Sequence, residues 1–443
     1  MIRLSRVAFS LAVILIGSPL CFGSEASHPQ SREIQVKGME GSTLQTMTLL
    51  PDGTVAALVA PSRYGDSGEN APSGVRLYDK AGAEIATWRV DFHAQSIAAG
   101  PNGHVFVGGD GQLAKFDTDG TLVATIELPH LKAALGDTEK LREHATQMQQ
   151  KQEEQQEQFR TQFDDQKKDL EEKLAELRAK AEDDLTAVEK RRIKRFEQQL
   201  EQFEEISASF QVPSVDDLMK MLTDRLRIIN GVTITETDVF VVTGATTGFG
   251  YSVWRMDHQF QNSKQVLGEL RGCCGQMDVR AHGDELFVAE NCGHRVGRYS
   301  RDGEPLGHFG QRAGRTAAVE ALSVKSLVKR KSKPAETAAG EEQEECPGFG
   351  GCCNPMNVWV TDDNLVYTAE SEGIIRCFTT EGDYRGLIGQ ARLTGGCKNV
   401  AVAASQDGNT VYFCDQPGQK IIVLSRDDAE AEPVEAGPTA SLQ

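Results

Sequence analysis

Residues 272–311 read GCCGQMDVRAHGDELFVAENCGHRVGRYSRDGEPLGHFGQ, and residues 351–390 read GCCNPMNVWVTDDNLVYTAESEGIIRCFTTEGDYRGLIGQ. The two stretches coincide at Gly-Cys-Cys, at Met277 and Met356, at Glu290 and Glu370, and at the closing Gly-Gln. Each holds four short β-type runs separated by Gly/Asp turns. A third copy begins at Gly395. Looser copies lie upstream, at residues 45–61 with 74–90, at 94–128 and at 230–260. Six units of roughly forty residues have the period of propeller blades. The sixth unit supplies three strands and then enters a polar tail near Asp427, while residues 33–37, EIQVK, stand ahead of the first unit. That segment could act as the missing outer strand and close the ring.

The stretch AENCGHRVGRYSRDGEPLGHFG, residues 289–310, resembles an NHL repeat, in which an acidic residue, Asn-His-Arg-Ile and an Asp-Gly turn recur. It departs from that pattern at Glu290 and Glu370, where NHL repeats usually carry Asp. The resemblance is strong in the fourth and fifth units and loose in the first three. It implies an all-β, six-bladed NHL-like β-propeller, here with an inserted α-helical coiled-coil hairpin. The expected division is a leader over 1–23, blades one and two over 33–130, and a helical insertion over 131–226. Blades three and four then occupy 227–311, a charged flexible insertion 312–349, blades five and six 350–426, and a tail 427–443.

Residues 138–210 contain no Gly or Pro and are dense in Glu, Gln, Lys and Arg. Apolar residues fall at Phe163, Leu170, Leu174, Leu177, Ala181, Leu185 and Val188, then at Phe196, Leu200, Phe203 and Phe210, a coiled-coil spacing. A single straight helix over this stretch would extend about 110 Å. The chain has to return to the ring, so the stretch is expected to fold back near Glu182-Asp183-Asp184. Ser214 with Asp217 reads as the cap of a short return helix. The second interruption holds Lys329-Arg330-Lys331-Ser332-Lys333 and an acidic run at 341–345, the composition of a solvated linker.

The long loops all join an outer strand to the next inner strand, or the second strand to the third, and these share one face of a propeller. The opposite face holds tight turns such as Pro51-Asp52-Gly53 and Arg301-Asp302-Gly303. The working surface is therefore expected on the loop-rich face.

Met1 to Arg6 carries two arginines, an apolar run follows, and Cys21-Phe22-Gly23-Ser24 offers small residues for cleavage. This is the pattern of a secretory signal peptide, and the run is short for a bilayer span. The expectation is an exported protein, periplasmic or extracellular, with no transmembrane segment in the mature chain. A formal charge of −18 argues against a nucleic-acid partner.

Of ten cysteines, nine remain after Cys21. By strand geometry Cys397 is expected to face Cys414, and Cys273 or Cys274 to face Cys292, while Cys352 and Cys353 have no such cross-strand partner, with Cys346 and Cys377 available to them. Structural disulfides, redox-active Cys-Cys pairs, and a soft-metal site of copper(I) or zinc that also uses Met277 and Met356 all remain open.

Aligning the inner strands stacks Asp278, Asn357 and Asn399 at one position, with Asn230, Ser96 and Thr46 within about a residue of it. Gluconolactonase-like six-bladed propellers are similar in using a carboxylate and asparagines here to hold a divalent cation, which implies calcium as a candidate. The peptide-amidating lyases, also similar in fold, use histidines on zinc, but His93, His282 and His294 share no register in this chain. The plainer reading is that these side chains satisfy backbone groups at strand starts. Glu290, Glu370 and Asp415 share a repeat position and read as blade-fixing acceptors. No Ser/His/Asp grouping is evident. The leading functional expectation is a binding or scaffold protein for a protein or small ligand, using the loop-rich face and the helical insertion. Self-association through that insertion is one form of it. The alternative is a metal-dependent hydrolase or lyase at the channel mouth.

Overall fold

A computed structural model describes residues 26–62, 71–181, 185–209, 212–245, 250–272, 275–313, 348–351, 353–395 and 400–426. The leader at 1–23, the charged runs at 329–345, the tail from 427, the expected reversal at Glu182-Asp183-Asp184, and Cys273, Cys274, Cys346, Cys352, Cys397 and Asn399 lie outside the described residues.

The chain begins with β1 (Gln30–Gln35) and then forms β2 (Thr43–Leu49), β3 (Val55–Ala60), β4 (Ser73–Tyr78) and β5 (Glu84–Val90). Next come β6 (Ser96–Ala99), β7 (Val105–Gly109), β8 (Gln112–Phe116) and β9 (Leu122–Glu127). Four helices follow: α1 (Pro129–Gly136), α2 (Thr138–Arg178), α3 (Ala187–Ser209) and α4 (Val215–Leu226). The third group is β10 (Ile229–Ile234), β11 (Asp238–Gly244), β12 (Tyr251–Asp257) and β13 (Lys264–Leu270). The fourth is β14 (Val279–His282), β15 (Glu285–Glu290), β16 (Arg295–Ser300) and β17 (Pro305–Phe309). The fifth is β18 (Asn357–Val360), β19 (Leu365–Ala369), β20 (Ile374–Thr379) and β21 (Tyr384–Gln390). The last is β22 (Val400–Ala404), β23 (Thr410–Asp415) and β24 (Lys420–Ser425).

These strands make six four-stranded antiparallel sheets. Five follow chain order, and the sixth runs β22-β23-β24-β1. In it Glu33 pairs with Ile422 and Ile34 with Ile421, so the N-terminal strand completes the C-terminal sheet. The inner strands touch in cyclic order: β2 to β6, β6 to β10, β10 to β14, β14 to β18, β18 to β22, and β22 to β2. This is a β-propeller carrying a helical insertion.

The core follows from two-residue periodicity. In β24, Ile421 and Val423 join Met47, Val59 and Tyr78 on one side, while Ile422 and Leu424 join Met356, Ile375 and Ile388 on the other. A strand packed on both faces reads as a continuous apolar run, which explains Ile-Ile-Val-Leu here and the fully buried β3 and β11. Outer strands such as β5 and β9 alternate or turn to solvent. Six such apolar layers lie between successive sheets, the last joining sheet six to sheet one. The tight turns need glycine where φ is positive. Gly303 has φ 93°, and a Cβ there would lie 1.9 Å from the Val266 carbonyl oxygen.

The helical insertion leaves the ring after β9. At 41 residues, α2 is about 60 Å long. The Asp137 side chain caps its start by accepting from the Lys140 N–H. The chain then reverses, and α3 packs back along α2, with Arg178 2.5 Å from Glu197 and Lys180 2.6 Å from Glu189. The return is completed by α4, which opens with the Ser214–Asp217 capping box. Leu218 and Leu222 of α4 pack on Leu141 and Ala145 at the root of α2. Of the expected seam, Leu174 is buried and Phe163, Leu170, Leu177, Phe196 and Leu200 are half-buried. Ala181 and Val188 do not belong to it: Ala181 is exposed beyond the end of α2, and Val188 stands just inside α3 and is 65 % exposed.

Candidate functional site: the central channel mouth

The inner strands converge on a channel, and its mouth on the insertion-bearing face is lined by Gln45, Thr46, His93, Gln95, Ser96, Asn230, Gln276, Asp278, Arg280 and Asn357. The cavity there is small, about 70 Å³. Asn357 opens β18, Ser96 opens β6, and Asp278 directly precedes β14, so the aligned polar residues do meet around one axis.

Their bonds show what they do. Asp278 Oδ2 accepts the backbone N–H of Val358, in the next sheet, at 3.0 Å. Asn357 Oδ1 accepts the N–H of Val402, again one sheet on, at 2.8 Å. Thr233 Oγ1 accepts the N–H of Ala281 at 3.0 Å, and Gln95 Oε1 accepts that of Ile229 at 2.7 Å. Gln276 reaches two sheets on, donating to the Val400 carbonyl at 2.7 Å and accepting its N–H. Asn230 Nδ2 donates to the Gly275 carbonyl at 3.0 Å. Innermost strands of neighbouring sheets diverge too far to bond backbone to backbone, so side-chain oxygens take up the N–H groups that burial would otherwise strand.

The described members do not fit a divalent cation. Calcium takes six to eight oxygens. Here there is one carboxylate, its Oδ2 is already bonded, and Arg280 Nε lies 3.7 Å from it. Burial raises the Asp278 pKa, against the opposing pull of Arg280 and of the Val358 and Val279 N–H groups. Among the described residues no group of three or more His, Cys, Asp or Glu could hold a metal ion.

Two residues of the channel wall were not singled out from the sequence. Arg280 Nε donates to the Val358 carbonyl at 3.1 Å, and its guanidinium lies over the Trp359 ring at 4.8 Å. Both fall two residues beyond the aligned Asp278 and Asn357, so strand alternation was the signal that could have found them.

The Glu/Asp repeat position is structural. Glu370 accepts from the Gly350 N–H at 2.9 Å and pairs with Arg376. Asp415 accepts from the Thr394 N–H at 3.0 Å. Glu290 binds Arg295 at 2.6 Å and accepts the Tyr299 hydroxyl at 2.5 Å; burial first, and then this hydrogen bond to a carboxylate, push that phenol up to about 12. Glu370 and Asp415 tie a strand end to the loop beside it, and Glu290 ties its strand end to the neighbouring strand β16. The histidines are scattered: His93 is at the mouth near the Pro61 carbonyl, His282 meets Asn364 on the other face, and His294 sits in a turn at φ 53°.

The cysteines divide. Register places Ala401, not Cys397, opposite Cys414, because the inner strand β22 begins only at Val400. Cys414 is a free thiol in the apolar layer between sheets six and one. Cys377 is likewise free and buried, with Sγ 3.8 Å from the Phe378 carbonyl. Cys353 is buried and Cys292 exposed.

No protein-family model matches the chain, and no curated protein sequence matches it. Among solved structures it is similar to the β-propeller domain of Cps50 (Swd1) from Myceliophteria thermophila. The TM-score is 0.39 at 8 % identity, over 90 % of this chain and 99 % of that one. The assignment of the fold rests on sheet order and the cyclic contacts described above.

Proposed function

We propose that this chain is an exported, six-bladed propeller of the NHL type that acts as a binding scaffold, recruiting a protein partner through the helical hairpin on its loop-rich face. The observation that carries this is the hairpin itself. Its 41-residue α2 buries only Leu141, Ala145 and Leu174, and the first two serve its root. The rest contributes nothing to closing the ring. A 60 Å polar arm on a rigid disc presents surface outward, and a half-buried apolar seam is what another helix, from a partner or a second copy, would cover. The N-terminal residues support export to the periplasm or the exterior, and no helix among the described residues is long and apolar enough to cross a membrane. A metal-dependent hydrolase at the channel mouth has less support, because its one carboxylate already holds a backbone N–H and an arginine.

The test replaces residues 152–209 with a short Gly/Ser turn, leaving the Leu141–Leu222 root intact. Sedimentation of the full chain and the variant, together with cross-linking in the producing cell, reads association. The expected result is an unchanged melting transition with loss of the self-associated or cross-linked species. Unchanged association after the deletion overturns the proposal.

A further inference from the structure

The geometry points to a binding site for a small oxyanion, a carboxylate or a phosphate, at Arg280 in the waist of the channel. Arg280 lines both the mouth on the insertion face and the funnel on the turn face, so its guanidinium stands between the two. The layer around it is otherwise small or neutral, with Thr48, Ala98 and Thr233 on other inner strands and Trp359 beneath the guanidinium plane. Its side chain is 11 % exposed, and only Nε is engaged, by the Val358 carbonyl and the flank of Asp278. The Nη1 and Nη2 edge, the fork that binds planar oxyanions two bonds at a time, has no hydrogen-bond partner among the described residues.

The strand stitching supplies the remaining donors. The only acceptor an amide side chain can offer a backbone N–H is its oxygen, so the bonds to Val402 and Ile229 take up the amide oxygens of Asn357 and Gln95. That leaves Asn357 Nδ2 and Gln95 Nε2, both donors, on residues that line the cavity. The Thr46 hydroxyl lines it too. A pocket offering N–H and O–H donors around a desolvated arginine selects an anion, and the limited space selects a small one. Asp278 is the opposing charge. Its Oδ2 is turned to Val358 and to the Nε side, away from the open edge of the guanidinium fork. An anion therefore binds against a local carboxylate, which gives the test a sign.

Acetate and inorganic phosphate are titrated into the full chain at constant ionic strength, with chloride as control, by calorimetry and by the indole N–H resonance of Trp359, assigned with Trp359→Phe. Acetyl-dialanine with a free carboxylate, and its amide, separate a free ion from a peptide terminus. Expected is saturable binding that chloride does not reproduce, with a shift of the Trp359 signal. Arg280→Met abolishes it. Should that variant fail to fold, two others keep the test open, since both retain the oxygen that meets the backbone N–H. Asn357→Asp adds a charge and weakens binding by roughly tenfold or more, and Asp278→Asn removes one and tightens it, as loss or gain of a charge interaction worth about 1.4 kcal/mol requires. No saturable binding, or binding indifferent to all three substitutions, overturns the site.

Discussion

Asn357 Oδ1 lies 2.8 Å from the backbone nitrogen of Val402, a residue 45 positions later and one sheet further round the ring. Asp278 repeats the relationship with Val358, 80 positions later, at 3.0 Å. Each side chain closes a gap between inner strands that backbone pairing leaves open. Asn357→Ala strands the Val402 N–H and is expected to cost about 1–3 kcal/mol, with Asn357→Asp near wild type. Asp278→Ala also deprives Arg280 of its carboxylate and is expected to cost about 3–5 kcal/mol. Urea midpoints of the three variants decide it. Equal stability throughout would mean these contacts do not hold the ring together.

A second expectation compares two acids at one repeat position. Glu370 is fully buried and pairs with Arg376, whose side chain is 9 % exposed, while the Arg295 partner of Glu290 is 40 % exposed. Solvent screens the second pair and not the first. Glu370→Ala should cost about 3–5 kcal/mol, and Glu290→Ala about 1–2 kcal/mol, through the Tyr299 hydrogen bond as much as the ion pair. Denaturant melts of the two variants in low and high salt check this. Salt should narrow the Glu290 loss and leave that of Glu370 nearly unchanged.

The ring was legible in the sequence because its determinants are local and repeat. Gly-containing turns and two-residue apolar alternation recur along the units, and the Gly-Cys-Cys frame shared by the fourth and fifth makes those two readable enough to locate the others. The polar position shared by Asp278 and Asn357 was legible for the same reason. Its role was not, since an Asn that binds a ligand and an Asn that binds the next strand are the same letter, and the Val402 N–H is far away in sequence. The Cys414 pairing failed for a related reason. The inner strand β22 begins only at Val400, and a shift of four residues moves the opposing position from Cys397 to Ala401. In α3, Val188 fits the apolar spacing, but spacing does not reveal where packing begins, and the contact between helices starts beyond it.

Stability is expected to fall as the pH drops below 6.5. Burial pulls His130 and His28 below that ordinary value. His130 Nε2 lies 3.0 Å from the Leu226 carbonyl, so the neutral ring carries its proton there. A second proton would have to sit on Nδ1, which is buried without a partner beside the stacked Trp254 ring. A histidine with a lowered folded pKa takes up its proton more readily when unfolded. Its contribution is therefore complete above 6.5 and is lost as pH falls through the lower folded value. His130 ties the start of the insertion to its end, so the root of the hairpin should loosen first. Urea midpoints across this range, with His130→Gln as control, measure it. A flat profile in the wild type, or the same slope in the variant, excludes this histidine as a source.

The buried thiols give a last expectation. Burial pushes the Cys377 thiol up to about 12 and raises that of Cys414 still more strongly, with Asp415 adding to the effect at Cys414. The thiolate is the reactive form, so both should be inert at neutral pH. Cys414 packs among Met47, Ile421 and Val423, and Cys377 among Tyr367, Ile375 and Ile388, which also closes them to reagents. Brief alkylation with iodoacetamide, followed by peptide mapping, should leave both unmodified in the native protein and modify both in guanidinium. Replacement by Ala removes a sulfur from each apolar layer and should cost about 1–2 kcal/mol, while Val, nearer in volume, should cost less. Native-state labelling of Cys414 would mean that the layer between the last sheet and the first opens on its own. The closure made by β1 against β24 would then be the weak joint of the ring.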